Sequence, residues 1–301
     1  MRHLRFPAFV LMFFALLGWS ATPAAAQSIL RDAETEALLH DMATPLIEAA
    51  GLDPVNVDIV LVNDQSVNAF VAGGQAVYIN AGLINEADTA EEVQGVIAHE
   101  LGHVTGGHAV LNQGAKSASN ISILSLLLGA AAAAAGGGEA AMGVLMAGQQ
   151  AAMGKFLAYT RSQEASADAA GAKYLSEAGL SGRGSIEFFK KLQNMEYRYG
   201  YSQRSQDEFF STHPLTSDRI ATLQDTYQKD PAWNAKPDST IQKRFVRMKA
   251  KLYGYLAEPR DVFRRYPLTD NSVPAHYARA YAYNRESKLD EARAETDALV
   301  A

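Results

Sequence analysis

The spacing of apolar and polar positions changes period several times along this chain, and each change marks an element. Over residues 29–50, apolar side chains recur at helical spacing (Leu30, Ala37, Leu38, Met42, Leu46, Ile47) and Gly51 ends the run, which predicts a helix. Residues 57–62 are rich in β-branched side chains and predict a strand, followed by turn chemistry at Asn63, Asp64, Gln65 and Ser66. Two short strands, 68–72 and 75–80, are expected about Gly73 and Gly74. Thr89 suits an N-cap for a helix reaching about Leu111, with Glu91 and Glu92 in the first turn where carboxylates are favoured. Residues 153–178, 183–196 and 216–227 carry helical patterns as well. The expected fold class is mainly α with a small β-sheet, an α+β domain.

Several stretches break the pattern. Residues 1–26 have a positive start (Arg2, Arg5), a short apolar run at 9–19 and small residues at Ala24, Ala25 and Ala26, the layout of a secretory signal peptide. Export to a bacterial periplasm is the expectation. Residues 120–154 hold a single formal charge, Glu139, among Leu, Ala and Gly, and Gly136, Gly137 and Gly138 interrupt an apolar helix expected over 121–135. Either a buried helical hairpin or a segment that contacts a membrane or acts as a lid fits this composition, and peripheral membrane contact is expected on the second reading. The interruption argues against a full span, which needs roughly 20 apolar residues. A Pro-, Asp- and Lys-rich linker at 229–240 separates an expected domain at 27–228 from a helical tail at 241–301. In that tail Ala280, Tyr283 and Ala292 sit where a tetratricopeptide-like unit needs them, although a plain helical hairpin fits nearly as well. One such pair cannot bury its own face, so either it docks on the first domain or the solenoid is incomplete.

Composition narrows the chemistry. Lys plus Arg is 27 against 33 Asp plus Glu, a net charge of -6, which argues against a nucleic-acid partner. Cysteine is absent, which removes disulfides, thiol nucleophiles and thiolate metal sites. Any metal must be held by nitrogen and oxygen.

His99, Glu100, Leu101, Gly102 and His103 lie inside the helix that starts at Thr89. A spacing of four puts both imidazoles on one face, and Glu100 falls where a base for water activation is wanted. A catalytic zinc takes three protein ligands. A histidine six residues after His103 is one option, but position 109 is Ala and His108 comes one residue early, so His108 is read as a surface histidine or a partner of a ligand. The other option is Glu164, with Asp168 one turn later among Ala165, Ala167, Ala169, Ala170 and Gly171. Small residues allow close helix approach, and two carboxylates on such a helix need a cation if buried. Asp168 can then accept from the outer nitrogen of a ligating histidine.

The pairing of that helix motif with a later Glu-x-x-x-Asp-x-x-Gly resembles the gluzincin metallopeptidases of the type I CAAX prenyl protease and HtpX kind, most of all the exported BepA-like branch with its tetratricopeptide tail. Asn68, Ala69, Phe70, Gly74, Gly82 and Leu83 resemble the stretch before the zinc helix, and Ser211, Thr212, His213 and Pro214 followed by Arg219 and Ile220 resemble a Thr-His-Pro…Arg motif. The resemblance implies a zincin-like domain binding one zinc ion per chain through His99, His103 and Glu164, with Glu100 as catalytic base and Asp168 supporting a ligand. It implies for His213 an oxyanion contact, a cap on the resting metal or a structural role, and for Arg219 an anchor of the His213 loop. Substrates would be misfolded or unassembled cell-envelope proteins, with outer-membrane assembly machinery as partner through the tail. A zinc-stabilised chaperone or scaffold is the rival reading. The strand Ala76, Val77, Tyr78, Ile79, Asn80 is expected to pair with an extended substrate.

Overall fold

A computed structural model describes residues 28–109, 113–199 and 213–300. The signal-peptide reading of 1–26, and Ser211 and Thr212 of the Thr-His-Pro motif, lie outside these. The domain begins with α1 (Ala33–Ala49), whose first turn is capped by the Asp32 carboxylate accepting from Glu34 N–H. Three strands follow: β1 (Asp58–Val62), β2 (Ala69–Ala72) and β3 (Ala76–Asn80). Gly73 and Gly74 join β2 to β3 with φ of +66° and +103°, a turn that glycine enters without a steric penalty. A short α2 (Ala81–Glu86) leads into α3 (Ala90–Thr105), where the Thr89 hydroxyl accepts from Glu92 N–H as the sequence predicts.

The strand order is β1-β3-β2, with β1 parallel and β2 antiparallel to β3. This overturns the expectation for the substrate strand. Ala76, Val77, Tyr78, Ile79 and Asn80 form the central strand, with both backbone edges already engaged, so no added strand can pair there. Among the described residues, no strand occupies the outer edge of β2.

The motif helix ends at Thr105 rather than near Leu111, with 106–109 forming a turn. α4 (Gln113–Ala134) ends ahead of a turn at Gly136 (φ +83°), and α5 (Gly138–Glu177) then runs unbroken for 40 residues, beginning well before the expected Met153. The glycines at 143, 148 and 154 read as breakers in isolation, but α4 packs along the same stretch and offsets their low propensity. The two helices do form a hairpin, yet not a buried one: Leu124, Leu127 and Met146 are among the large side chains left exposed.

α6 (Arg183–Tyr199) and α7 (Ser217–Gln228) close the domain over α3 and α5. The tail comprises α8 (Ser239–Leu256), α9 (Pro259–Arg265), α10 (Val273–Arg285) and α11 (Leu289–Val300). One core joins Leu38, Met42 and Leu46 of α1, Val77 and Ile79 of β3, and Val93, Val96 and Ile97 of α3. Phe245, Met248 and Leu252 of α8 lie in that same core. Beside them Lys251 is ion-paired with Asp32 and, at 2.8 Å, with Glu34. A second small cluster (Ala250, Val262, Ala278, Ala282) holds α8, α9 and α10 together.

Candidate metal centre

The helical repeat places His99 and His103 one turn apart on α3, and their Nε2 atoms stand 3.1 Å from each other. Two glycines bring the facing helix against them. A β-carbon at Gly102 would lie 2.6 Å from the Ala167 carbonyl oxygen, and one at Gly171 would lie 3.0 Å from the Ala98 carbonyl carbon. α3 and α5 therefore meet backbone to backbone. That contact seats the Glu164 carboxylate 3.3 Å from His103 Nε2 and 3.4 Å from His99 Nε2. His213, ahead of Pro214 and α7, adds its Nδ1 at 3.3 Å from His99 Nε2 and 3.2 Å from Glu164 Oε1.

These four donor atoms all lie within 4.8 Å of one another. A tetrahedron around zinc at the usual Zn–N distance has edges of about 3.3 Å. The separations above, 3.1 to 3.4 Å and counted over both Glu164 oxygens, are close to it, within a set whose widest pair lies inside 4.8 Å. Two imidazole Nε2 atoms at 3.1 Å can share at most one proton, so a cation suits the set better than protons do. The donors fit zinc in number, kind and spacing.

Each ligand candidate is held from behind. His99 Nδ1 faces Asp168 Oδ1 at 2.9 Å. Arg219 donates a two-pronged pair to Asp168 at 2.7 and 2.8 Å, meets Glu164 Oε2 at 2.9 Å, and donates to the Pro214 carbonyl at 2.8 Å. One guanidinium thus ties the two α5 carboxylates to the loop carrying His213. His103 Nδ1 lies 2.8 Å from His108 Nδ1, and His108 Nε2 lies 3.2 Å from Ser166 Oγ. The sequence left open whether His108 was a surface group; only the turn at 106–109 folds it back onto His103.

Burial pushes the His99 imidazole down, but the Asp168 and Glu164 carboxylates outweigh it and raise its pKa to about 10. Burial pushes Glu164 up, and the surrounding imidazoles more than reverse this, holding it well below the usual carboxylate range. Asp168 is held low against its burial by His99 and Arg219. His103 is lowered chiefly by burial. The pocket thus gathers buried carboxylates, Glu164 and Asp168, whose charge a bound cation would help to balance.

Glu100 is different. Its side chain is fully buried, neither carboxylate oxygen has a hydrogen-bond partner among the described residues, and the nearest cation candidate is His213 Nε2 at 3.5 Å. An unsatisfied buried carboxylate is costly, so it needs a reason other than stability.

A helix with two metal-spaced histidines around a buried glutamate, and a glutamate from a second helix completing the set, defines a metallopeptidase centre. The sequence comparison agrees: the chain belongs to peptidase family M48, whose pattern matches residues 31–227. Membership of a peptidase family agrees with a donor set of His99, His103, Glu164 and His213 that could hold a metal ion. A Vibrio cholerae relative, named provisionally as a beta-barrel assembly-enhancing protease, is 28% identical over 232 residues, covering 77% of this chain and 47% of the relative. The beta-barrel assembly-enhancing protease of Escherichia coli K12 is 26% identical over 253 residues, covering 80% and 49%. Metalloprotease LoiP of the same strain is 30% identical over 180 residues, covering 59% and 64%. The chain spans about half the length of the beta-barrel assembly-enhancing relatives it matches.

Proposed function

We propose that this chain is an exported zinc endopeptidase that cleaves misfolded or unassembled proteins of the bacterial cell envelope. The observation that carries the catalytic part is Glu100, a buried carboxylate without a hydrogen-bond partner among the described residues, beside a four-donor metal socket. The names of the beta-barrel assembly-enhancing relatives support the envelope part.

In this reading His99, His103 and Glu164 hold zinc, which when bound supplies a Lewis acid that acidifies water and polarises the scissile carbonyl. Glu100 takes the proton of the attacking water and hands it to the leaving amine. Its burial keeps competing donors away from the carboxylate. Asp168 fixes the tautomer of His99, and Arg219 positions Asp168 and the Pro214 carbonyl. His213 caps the donor set in the resting arrangement and has to move off Glu164 to admit a substrate, after which its ring can donate to the oxyanion. Since β3 is enclosed, an extended substrate pairs with the outer edge of β2. The tail beyond the 229–240 linker, a tetratricopeptide-like region in this reading, recruits substrate or assembly machinery.

One observation favours the rival scaffold reading: four protein donors make a closed set, as in structural zinc sites. The two separate cleanly. Casein hydrolysis by the zinc-loaded protein, lost in Glu100→Gln and on chelation, supports the protease. Complementation that survives Glu100→Gln but fails on removal of residues 241–301 supports the scaffold.

A further inference from the structure

The α4–α5 hairpin is built inside out. Its seam is made mostly of small residues: Ser125, Ala141 and Ala152 are buried, a β-carbon added at Gly148 would collide with Ser125, and one added at Gly129 would collide with Leu145, a large side chain that does turn inward. Its outer surface carries Leu124, Leu126, Leu127, Leu128, Met142 and Met146, each more than half exposed. A water-facing hairpin would bury the large side chains and expose the small or polar ones. Helices that meet through small residues and turn their leucines outward have the design of lipid-embedded pairs.

Charge and length point the same way. Between Lys116 and Lys155 the only charged residue is Glu139. Gly129 faces Leu145 and Gly148 faces Ser125, so the helices run antiparallel and both lysines sit at the end away from the 136–138 turn. The apolar stretch Lys116–Ala134 has 19 residues, about 28 Å of helix, against about 30 Å for a bilayer's hydrocarbon core. Only 11% of it is buried within the protein. A lysine pair at one end and Glu139 beside the turn place charge at the two levels where headgroups lie.

We propose that this hairpin inserts turn-first into an anionic phospholipid bilayer, with Lys116 and Lys155 at the headgroups, and that it thereby fixes the height of the metal centre. α5 is one continuous helix, and Glu164 follows Lys155 by nine residues, about 14 Å of rise. The centre then works on polypeptide segments lying close above the membrane surface. The substrate half of this inference rests on the peptidase reading; the insertion half does not.

Flotation of the zinc-loaded protein with phosphatidylcholine vesicles containing phosphatidylglycerol tests it, alongside hydrolysis of soluble casein. Wild type is expected to float. A Leu124→Asp/Leu127→Asp/Met146→Asp variant is expected to stay at the bottom and to cleave casein as fast as wild type. Because the chain has no cysteine, Leu127→Cys can carry a single polarity-sensitive dye, whose emission is expected to shift to the blue on adding vesicles. A peptide tethered to the vesicles within reach is expected to be cleaved about tenfold or more faster than the free peptide by wild type, and equally by the triple variant. Wild type that stays at the bottom with no dye shift overturns the proposal, as does a triple variant that floats. So does a wild-type dimer that the triple substitution dissolves without any flotation, since the occupant is then a second copy. Flotation without casein hydrolysis by any form leaves insertion standing and removes the peptidase reading and the substrate half with it.

Discussion

Replacing Arg219 with Ala removes a guanidinium that pairs with both α5 carboxylates and donates to the Pro214 carbonyl beside His213. The Arg219 side chain is 12% exposed, and its partners Asp168 and Glu164 are 9% and 3% exposed. Removing one member of a buried charge pair costs roughly 3–5 kcal/mol, because the remaining charge stays desolvated and unpaired. Here the low end applies: Asp168 keeps His99 and Glu164 keeps the metal, so about 3 kcal/mol is expected. For a chain of this size that is a fall in Tm of about 6–12 °C. Circular dichroism melts in zinc-saturated buffer at pH 7 measure it, and a competition titration with a chelating dye measures zinc affinity, which should fall as well. Arg219→Lys should recover little, since a single ammonium cannot reproduce the two-pronged contact. A Tm within about 2 °C of wild type together with unchanged zinc affinity would refute the reasoning.

Three further outcomes follow from the same geometry. Gly102→Val forces a side chain into the Ala167 backbone; it should cost about 1–3 kcal/mol in a urea titration and weaken zinc binding by parting α3 from α5. Zinc at 100 times its Kd should stabilise the chelator-treated protein by about 2.7 kcal/mol, and no change in the urea midpoint would mean that the socket does not bind it. Asp32 and Glu34 are partly desolvated, yet Lys251 holds both pKa values below their ordinary 3.8 and 4.5. Their contribution is complete above those ordinary values and is lost as pH falls through the lowered ones, so wild type should exceed Lys251→Met in stability at pH 7 and lose that margin in strong acid.

That His99, His103, Glu164 and Asp168 would come together was legible because they lie on helices with fixed repeats. His99 and His103 at a spacing of four, and Glu164 and Asp168 at the same spacing, need only helical geometry to share a face. The alanines and Gly171 around Asp168 announced the close approach that Gly171 in fact makes, with Gly102 on the facing helix α3. His213 was harder, since nothing local shows that the turn into α7 aims its Nδ1 at Glu164; that depends on Arg219 gripping the Pro214 carbonyl. β3 was misassigned as a substrate edge because order within a sheet is a tertiary property: β3 inserts between β2 and β1, parallel to β1, and no alternation pattern records it. The start of α5 was missed for a similar reason. Its glycines lower helix propensity residue by residue, while the packing with α4 that restores the helix lies some twenty residues away in sequence.

In the proposed mechanism Glu100 moves protons and does not hold the metal. Zinc content and casein hydrolysis of wild type, Glu100→Gln and Glu164→Ala, measured side by side, test it most directly. Glu100→Gln should retain one zinc per chain and lose cleavage by about 100-fold or more, whereas Glu164→Ala should lose both. A Glu100→Gln protein that binds zinc and cleaves casein at the wild-type rate would exclude Glu100 as the base.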